Sequence, residues 1–329
     1  MLLQQIDIHQ LMRSDMERVS ARVAEAARVR YADVSPFLEE IVQAGGKRLR
    51  PLLLLLAARA FQYDENVDTL ITAAAGVELL HTASLVHDDT VDRAAIRRGK
   101  PTLNSVFDHG SVILIGDYLF AQSAMLAAAT GSPRVVSIFA STLGAICDGQ
   151  LMEMIEATDL DQTDQQYFDR IYGKTASLFA GAAEMGTVIS GAPEDHIQAL
   201  LSFGGDVGLA FQIVDDVLDL TGESSDLGKP AGNDLRQGTI TLPVIYYLAS
   251  NPPGAAGSQM IASIVAGTAS DVEITAALDD IRSSGCVEKA FGEVERIVQR
   301  AKDRLRILPD ITAREGLCEF AEMAIHRAS

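Results

Sequence analysis

An all-α fold follows from three observations. Helical spacing of apolar residues recurs along most of the chain, while strand-like alternation is scarce. Alanine and leucine are plentiful, tryptophan is absent and aromatic residues make up only 5%, a composition that favours helix. The 329 residues are 48% hydrophobic, enough for one large core or two smaller ones.

The elements follow in order. Residues 13 to 44 carry charges with apolar residues three and four apart, which predicts one or two surface helices. Residues 51 to 62, 68 to 92, 111 to 130, 135 to 157, 164 to 190, 194 to 221 and 239 to 250 each read as a helix core. Many of these runs are apolar on most sides, so a central helical bundle is expected rather than a surface layer. Punctuation falls at Gly45-Gly46, Arg98-Gly99-Lys100-Pro101, Gly131-Ser132-Pro133, Gly222 to Gly232 and Asn251-Pro252-Pro253-Gly254. The last is the best candidate boundary. We expect a single domain over residues 1 to 329, with 255 to 329 a helical C-terminal part packed on the bundle. The greasy run PLLLLLAARA from Pro51 is broken by Arg59 and is too short to span a bilayer.

The net charge of −18 argues against nucleic-acid binding and suits a protein that collects divalent cations. Cys147, Cys286 and Cys318 show no ligand spacing and read as reduced thiols of a cytoplasmic protein. The beginning of the chain lacks the basic-then-apolar pattern of a secretion signal.

Two acidic clusters stand out. LVHDDTVD, residues 85 to 92, places Asp88, Asp89 and Asp92 after an apolar run. FQIVDDVLD, residues 211 to 219, repeats the pattern with Asp215, Asp216 and Asp219. Residues four apart share a helix face, and like charges there are destabilising unless a cation lies between them. One Asp-Asp-x-x-Asp is common on a solvated face. Two copies embedded in apolar sequence point to Mg²⁺, which takes one or two carboxylates plus substrate phosphates. Neither copy has the glycine-containing loop of a Ca²⁺ site.

Basic residues accompany both. Arg97, Arg98 and Lys100 follow the first cluster; Lys229 and Arg236 follow the second; AGGKRLRP offers Lys47, Arg48 and Arg50 beside paired glycines. Arginine forks suit phosphate oxygens, and glycine lets backbone approach a ligand. A Walker loop is excluded because the lysine is not followed by Ser or Thr. A metal-dependent phosphohydrolase built on His87-Asp88 lacks suitably placed histidines, and no Ser-His-Asp or Cys-His arrangement is evident. The residues therefore describe a helical cavity with two Asp/Mg²⁺ walls and three basic patches at its mouth, lined in its depth by alanine and leucine. Such a cavity fits a diphosphate ester with a hydrocarbon tail.

The ordered set GGKRLRP, HTASLVHDDTVD, RRGKPT, GDYLFAQ, GKTASLF, FQIVDDVLD and GKPAGNDLRQGTITLP resembles the trans-prenyl diphosphate synthases of the polyprenyl synthetase family. The resemblance spans nearly the whole chain. It implies an all-α bundle around a deep central cavity, and a homodimer. It implies that Asp88, Asp92 and Asp215 hold three Mg²⁺ ions (Mn²⁺ as a substitute) on an allylic diphosphate, with Asp89, Asp216 and Asp219 as further or water-mediated ligands. Arg97, Lys229 and Lys174 would grip the same diphosphate. Lys47, Arg50, His81 and Arg98 would bind isopentenyl diphosphate. Lys174, Thr175 and Gln212 would place oxygens near an allylic cation. Taken alone, His81 is a polar residue on a packed helix, two turns before Asp88 on the same side. Thr239 stands where short-chain members carry lysine, and GKPAGNDL followed by TLP resembles long-chain members.

In the family's geometry Ala83 and Ser84, one turn before the first motif, point down the cavity where short-product members carry a bulky aromatic; the resemblance therefore implies an open floor here and a product of roughly thirty to fifty carbons. A tail would pass Leu80, Val77 and Gly76. Geranylgeranyl or farnesyl diphosphate is the alternative if Leu114, Leu119 or Phe120 closes the tunnel. Ala83 and Ser84 also suit close helix packing alone. Two remoter classes are a subunit of a heteromeric synthase and a terpene cyclase. Both acidic motifs argue against the first, and the GGKR cations for a second diphosphate argue against the second. Membrane contact is expected to be at most transient, for product release, since no strongly basic amphipathic helix is present.

Overall fold

The computed structural model describes residues 7–43, 46–97, 99–222, 231–308 and 311–325. Helices dominate them, and the strands among the described residues are the antiparallel pair β1 (Ile96–Arg97) and β2 (Lys100–Pro101). The all-α prediction holds. Two compact units emerge: Met1–Gly144 with Leu178–Gly205 and Ala301–Met323, and Ala145–Ser177 with Asp206–Arg300 and Ala324–Ser329.

In the first unit, α1 (Ile8–Ala26) starts where the Asp7 carboxylate accepts the Gln10 N–H at 3.0 Å. Its buried Ile8, Met12, Val19 and Val23 recur at helical spacing. After α2 (Ser35–Gln43) comes α3 (Leu49–Ala58), whose apolar run is buried throughout. Pro51 falls in its first turn, where a missing N–H costs nothing. The long α4 (Tyr63–Val91) carries the first acidic motif at its C-terminal end. It packs along α3 and along α5 (His109–Ala129). α6 (Pro133–Glu156) follows. α8 (Ser177–Ile189) lies so close to α3 that a Cβ on Gly186 would sit 2.2 Å from the Leu54 carbonyl oxygen.

In the second unit, α7 (Asp164–Ile171) opens with a Thr163/Gln166 capping box. Predicted as one helix, residues 164 to 190 instead hold a π-helical turn, Tyr172–Ala176, between α7 and α8. α9 (Glu194–Thr221) carries the second motif. The short α10 (Asn233–Arg236), then α11 (Leu242–Ser250), α12 (Ala256–Val265), α13 (Asp271–Ser283) and α14 (Cys286–Arg304) build a core around Tyr167, Ile213, Val217, Leu235, Ile261 and Ile297. α15 (Ile311–Ile325), which belongs to the first unit up to Met323, ends the described chain. Buried Arg170 fastens the second unit, donating to Gln162 Oε1 and to the Ile240 carbonyl, both at 2.6 Å.

Helices α4, α5, α6 and α9 are long and apolar enough to cross a membrane by length and composition. The apolar stretches of α4 and α9 are 78% and 72% buried inside the protein, those of α5 and α6 only 33%. α4 and α9 thus bury most of their apolar stretches, whereas α5 and α6 leave much apolar surface uncovered.

Candidate active site

The first group of predicted residues lies in the first unit. Arg50 approaches His81, with Nη1 and Nε2 3.2 Å apart, and its guanidinium lies over the Phe179 ring at 4.5 Å. Two of the residues expected to bind isopentenyl diphosphate thus lie side by side, and Lys47 is exposed. Seven residues after His81 on α4, Asp88 is half-buried, while Asp92, at the C-cap, is exposed. Asp89 between them is 9% exposed and accepts a hydrogen bond from Arg97 Nε at 2.6 Å. Burial raises the Asp89 carboxyl above its usual range, and the Arg97 guanidinium opposes this. Arg97, predicted to grip a diphosphate, is here the partner of Asp89. Lys100 pairs with Glu40 at 2.9 Å. Arg98 and Lys229 lie outside the described residues.

The second group lies in the second unit. Asp215 is exposed on α9. Asp216 is 5% exposed and accepts from Tyr167 Oη and from Gln212 Nε2, each at 2.7 Å. Burial pushes its carboxyl well up, with repulsion from Asp234 and Asp215 adding to the effect. Asp219 accepts the Asp234 N–H at 3.0 Å and so caps α10. The Thr175 hydroxyl donates to Gln212 Oε1 at 2.7 Å, joining two of the predicted catalytic residues. Lys174 forms an ion pair with Glu153. Both Lys174 and Thr175 lie on the π-helical turn, a feature frequent at functional sites. The turn exists where two backbones nearly touch: a Cβ on Gly149 would lie 2.2 Å from the Lys174 nitrogen.

These donors suit a magnesium ion held mainly by its substrate. Among the described residues no three His, Cys, Asp or Glu side chains form a ready metal cage. The exposed carboxylates Asp92 and Asp215 and the half-buried Asp88 offer hard oxygens, the ligands that Mg²⁺ takes one or two at a time alongside phosphate. Asp89, Asp216 and Asp219 are engaged by protein groups, which fixes the motif backbones and leaves their neighbours facing outward.

The chain-length candidates are buried, Ala83 fully and Ser84 to 9% exposure. The Ser84 hydroxyl donates to the His81 carbonyl at 2.8 Å. One turn on, His87 stacks on Phe120 with centroids 4.9 Å apart, and Gly116 leaves room for its ring. Gly76 abuts α5, where a Cβ would lie 3.3 Å from the Ser123 carbonyl oxygen, so helix packing occupies that side of α4. Leu119 is buried, whereas Leu114 is 69% exposed and lies on the outside of the unit. A separate cavity of about 380 Å³ in the first unit is lined by Leu56, Arg59, Tyr63 and Thr312 among others, and by none of the predicted site residues.

Three contributors carry no signature in the sequence. Glu153 holds Lys174 from twenty-one residues away, Tyr167 holds Asp216, and Phe179 supports Arg50. No local spacing ties these residues to their partners. A weak signal exists in Gly149 and Gly173, isolated glycines inside helical stretches, which mark close backbone approach.

Comparison with known proteins agrees with this geometry. The polyprenyl synthetase family model matches residues 32–281. Component 2 of the heptaprenyl diphosphate synthase of Geobacillus stearothermophilus is 38% identical, over 95% of this chain and 96% of the relative. The octaprenyl diphosphate synthase of Escherichia coli (strain K12) is 32% identical, over 97% and 98%. The crystal structure of a polyprenyl synthase from Caulobacter crescentus, complexed with calcium and isoprenyl diphosphate, superposes with a TM-score of 0.91 at 33% identity, covering 98% of this chain and 97% of that one. The matched segment contains both aspartate motifs, the GGKR cations and the Lys174–Thr175 turn, and the chain belongs to the polyprenyl synthetase family.

Proposed function

We propose that the protein is a Mg²⁺-dependent prenyltransferase that condenses isopentenyl diphosphate with an allylic diphosphate. The product is a linear trans-polyprenyl diphosphate of about thirty to fifty carbons. The observation that carries this reading is the division of labour along α4. Arg50 meets His81, and on α4 His81 stands seven residues, about 10 Å or two turns, before the carboxylate Asp88. One end of this array takes a diphosphate directly on nitrogen donors; the other takes one through a divalent ion. A chain that only ionised a single substrate would have no use for the first.

Asp88, Asp92 and Asp215 would hold the magnesium, which when bound neutralises the diphosphate leaving group. The number of ions is three on this reading, and the calcium in the Caulobacter relative supports a divalent requirement. The protein's own groups do the rest. Glu153 steadies Lys174. Thr175 spends its hydroxyl proton on Gln212, so its oxygen lone pairs remain available to a developing carbocation. The C1–O bond of the allylic substrate breaks and its electron pair leaves with diphosphate. The isopentenyl double bond attacks C1, and a proton is then lost to the released diphosphate, so no protein base is required.

The family relatives with hepta- and octaprenyl names, together with small Ala83 and Ser84, support the long product. The poorly buried apolar faces of α5 and α6, including Leu114, Met125, Leu151 and Ile155, support a homodimer. The relative called component 2 favours a second reading, in which this chain is the catalytic component and needs an unlike partner. Incubating pure, folded protein with Mg²⁺, farnesyl diphosphate and labelled isopentenyl diphosphate separates the two. Incorporation supports self-sufficient catalysis. No incorporation until a partner is added supports the second reading.

A further inference from the structure

The three cations of GGKRLRP point to different tasks. Lys47 is exposed and Arg50 meets His81, but Arg48 turns inward. Its backbone is left-handed, with φ 47° and ψ 47°, an uncommon conformation for any residue other than glycine. Such a residue persists when its surroundings over-determine it. Here the Arg48 guanidinium donates to the Ser20 hydroxyl on α1 and to the Val42 carbonyl of α2 at 3.0 Å. Its Nε lies 3.9 Å from Glu78 Oε1 on α4. The two side chains are only 14% and 7% exposed, and a buried carboxylate of this kind depends on its cation. Glu78 sits one turn before His81. Successive turns of α4 therefore meet Arg48 and Arg50, and the short segment between them starts α3.

We propose that Arg48 and Glu78 are a positioning pair: they fix the direction in which Lys47 and Arg50 present their charges, and so set the affinity for isopentenyl diphosphate without touching it. This rests on the reading above that Lys47 and Arg50 bind that substrate. The pair joins α1, α2 and α4 behind the cations, so loosening it lets Lys47 and Arg50 drift while their charges remain. A misplacement of about 1 Å in a binding clamp is enough for losses of ten- to a hundredfold.

The test is steady-state kinetics on the full-length protein for Arg48→Lys, Glu78→Gln and the milder Ser20→Ala, with each substrate varied in turn. The expected result is a KM for isopentenyl diphosphate raised about tenfold in the first two and a few-fold in the third. The KM for the allylic diphosphate and kcat at saturation stay within about twofold. Combining Arg48→Lys with Glu78→Gln should cost no more than the worse single change. An unchanged KM for isopentenyl diphosphate overturns the proposal, as does a loss that falls equally on all parameters in step with Tm. Misfolding of all three variants would make the pair a fold element only, and overturns it too. Lys47→Ala and Arg50→Ala serve as controls. If they too leave that KM unmoved, the assignment of the second substrate fails; if they raise it and Arg48→Lys does not, only the positioning role fails.

Discussion

The two acidic motifs share a residue-level design. In each, the buried aspartates are engaged by the protein, Asp89 by Arg97, Asp216 by Tyr167 and Gln212, and Asp219 by the Asp234 N–H, while Asp92 and Asp215 remain at the surface and Asp88 half-buried. The buried members fix the helices; on the proposed function Asp88, Asp92 and Asp215 would serve a metal. Asp88→Asn and Asp215→Asn should each lower kcat/KM by about a hundredfold or more, with Tm unchanged or slightly higher because crowded charge is removed. Parallel loss of Tm and activity would show that these side chains support the fold instead. A second residue-level prediction concerns Glu184, which burial raises above its ordinary 4.5 despite Arg134 beside it. A folded-state value above the unfolded one means that its contribution is present below about pH 4.5 and is lost as pH rises through the raised value. Glu184→Gln removes that loss. Urea melts from about pH 4 to about pH 8 should show the variant gaining on the parent as pH rises; the reverse trend would contradict the assignment. The aspartates were legible in the sequence because carboxylates inside apolar helices are costly to bury unless a ligand or partner engages them; Arg50, His81, Thr175 and Gln212 were legible only through the resemblance of their motifs to those of the family. Glu153, Tyr167 and Phe179 were not, since each acts across tertiary space on a residue far along the chain.

At the scale of elements, hydrophobic periodicity located the helices well. The helix predicted over 194 to 221 has those bounds, and 239 to 250 became Leu242–Ser250. Periodicity failed over 164 to 190, because one extra residue in a π-helical turn hardly disturbs an apolar pattern. The cause of the turn is external: the backbones at Gly149 and Gly173 cross within contact, with Gly149 Cα 3.0 Å from the Cβ that Gly173 lacks. Gly149→Ala forces a Cβ into the Lys174 backbone, which has no flexible end to yield. We expect destabilisation of about 1–3 kcal/mol and a kcat reduced further than the remaining folded fraction explains, since Lys174 and Thr175 are displaced together. Denaturant melts and active-site-normalised turnover on the same sample check this. Wild-type turnover in a destabilised variant would separate the turn from catalysis.

For the whole molecule, the proposed magnesium would be held mainly by substrate phosphates, so it would serve catalysis rather than folding. Chelation should abolish turnover, reversibly, while the thermal melt moves by no more than a few degrees; unfolding on chelation would contradict this. The path of the growing hydrocarbon is also a property of the whole molecule. Ala83 and Ser84 are small and buried, Gly76 is packed against α5, and Phe120 is held by His87. The sequence marked this region through its run of small residues, but small residues serve close packing and open tunnels alike, and only neighbours from other helices distinguish the two. Product length is the direct measurement. Pure protein would be given Mg²⁺, farnesyl or geranylgeranyl diphosphate and excess labelled isopentenyl diphosphate, and the dephosphorylated alcohols resolved. A ladder that ends at about thirty carbons or beyond is the expected result. A product that stops at geranylgeranyl or farnesyl length, with no longer species at any substrate ratio, would contradict it.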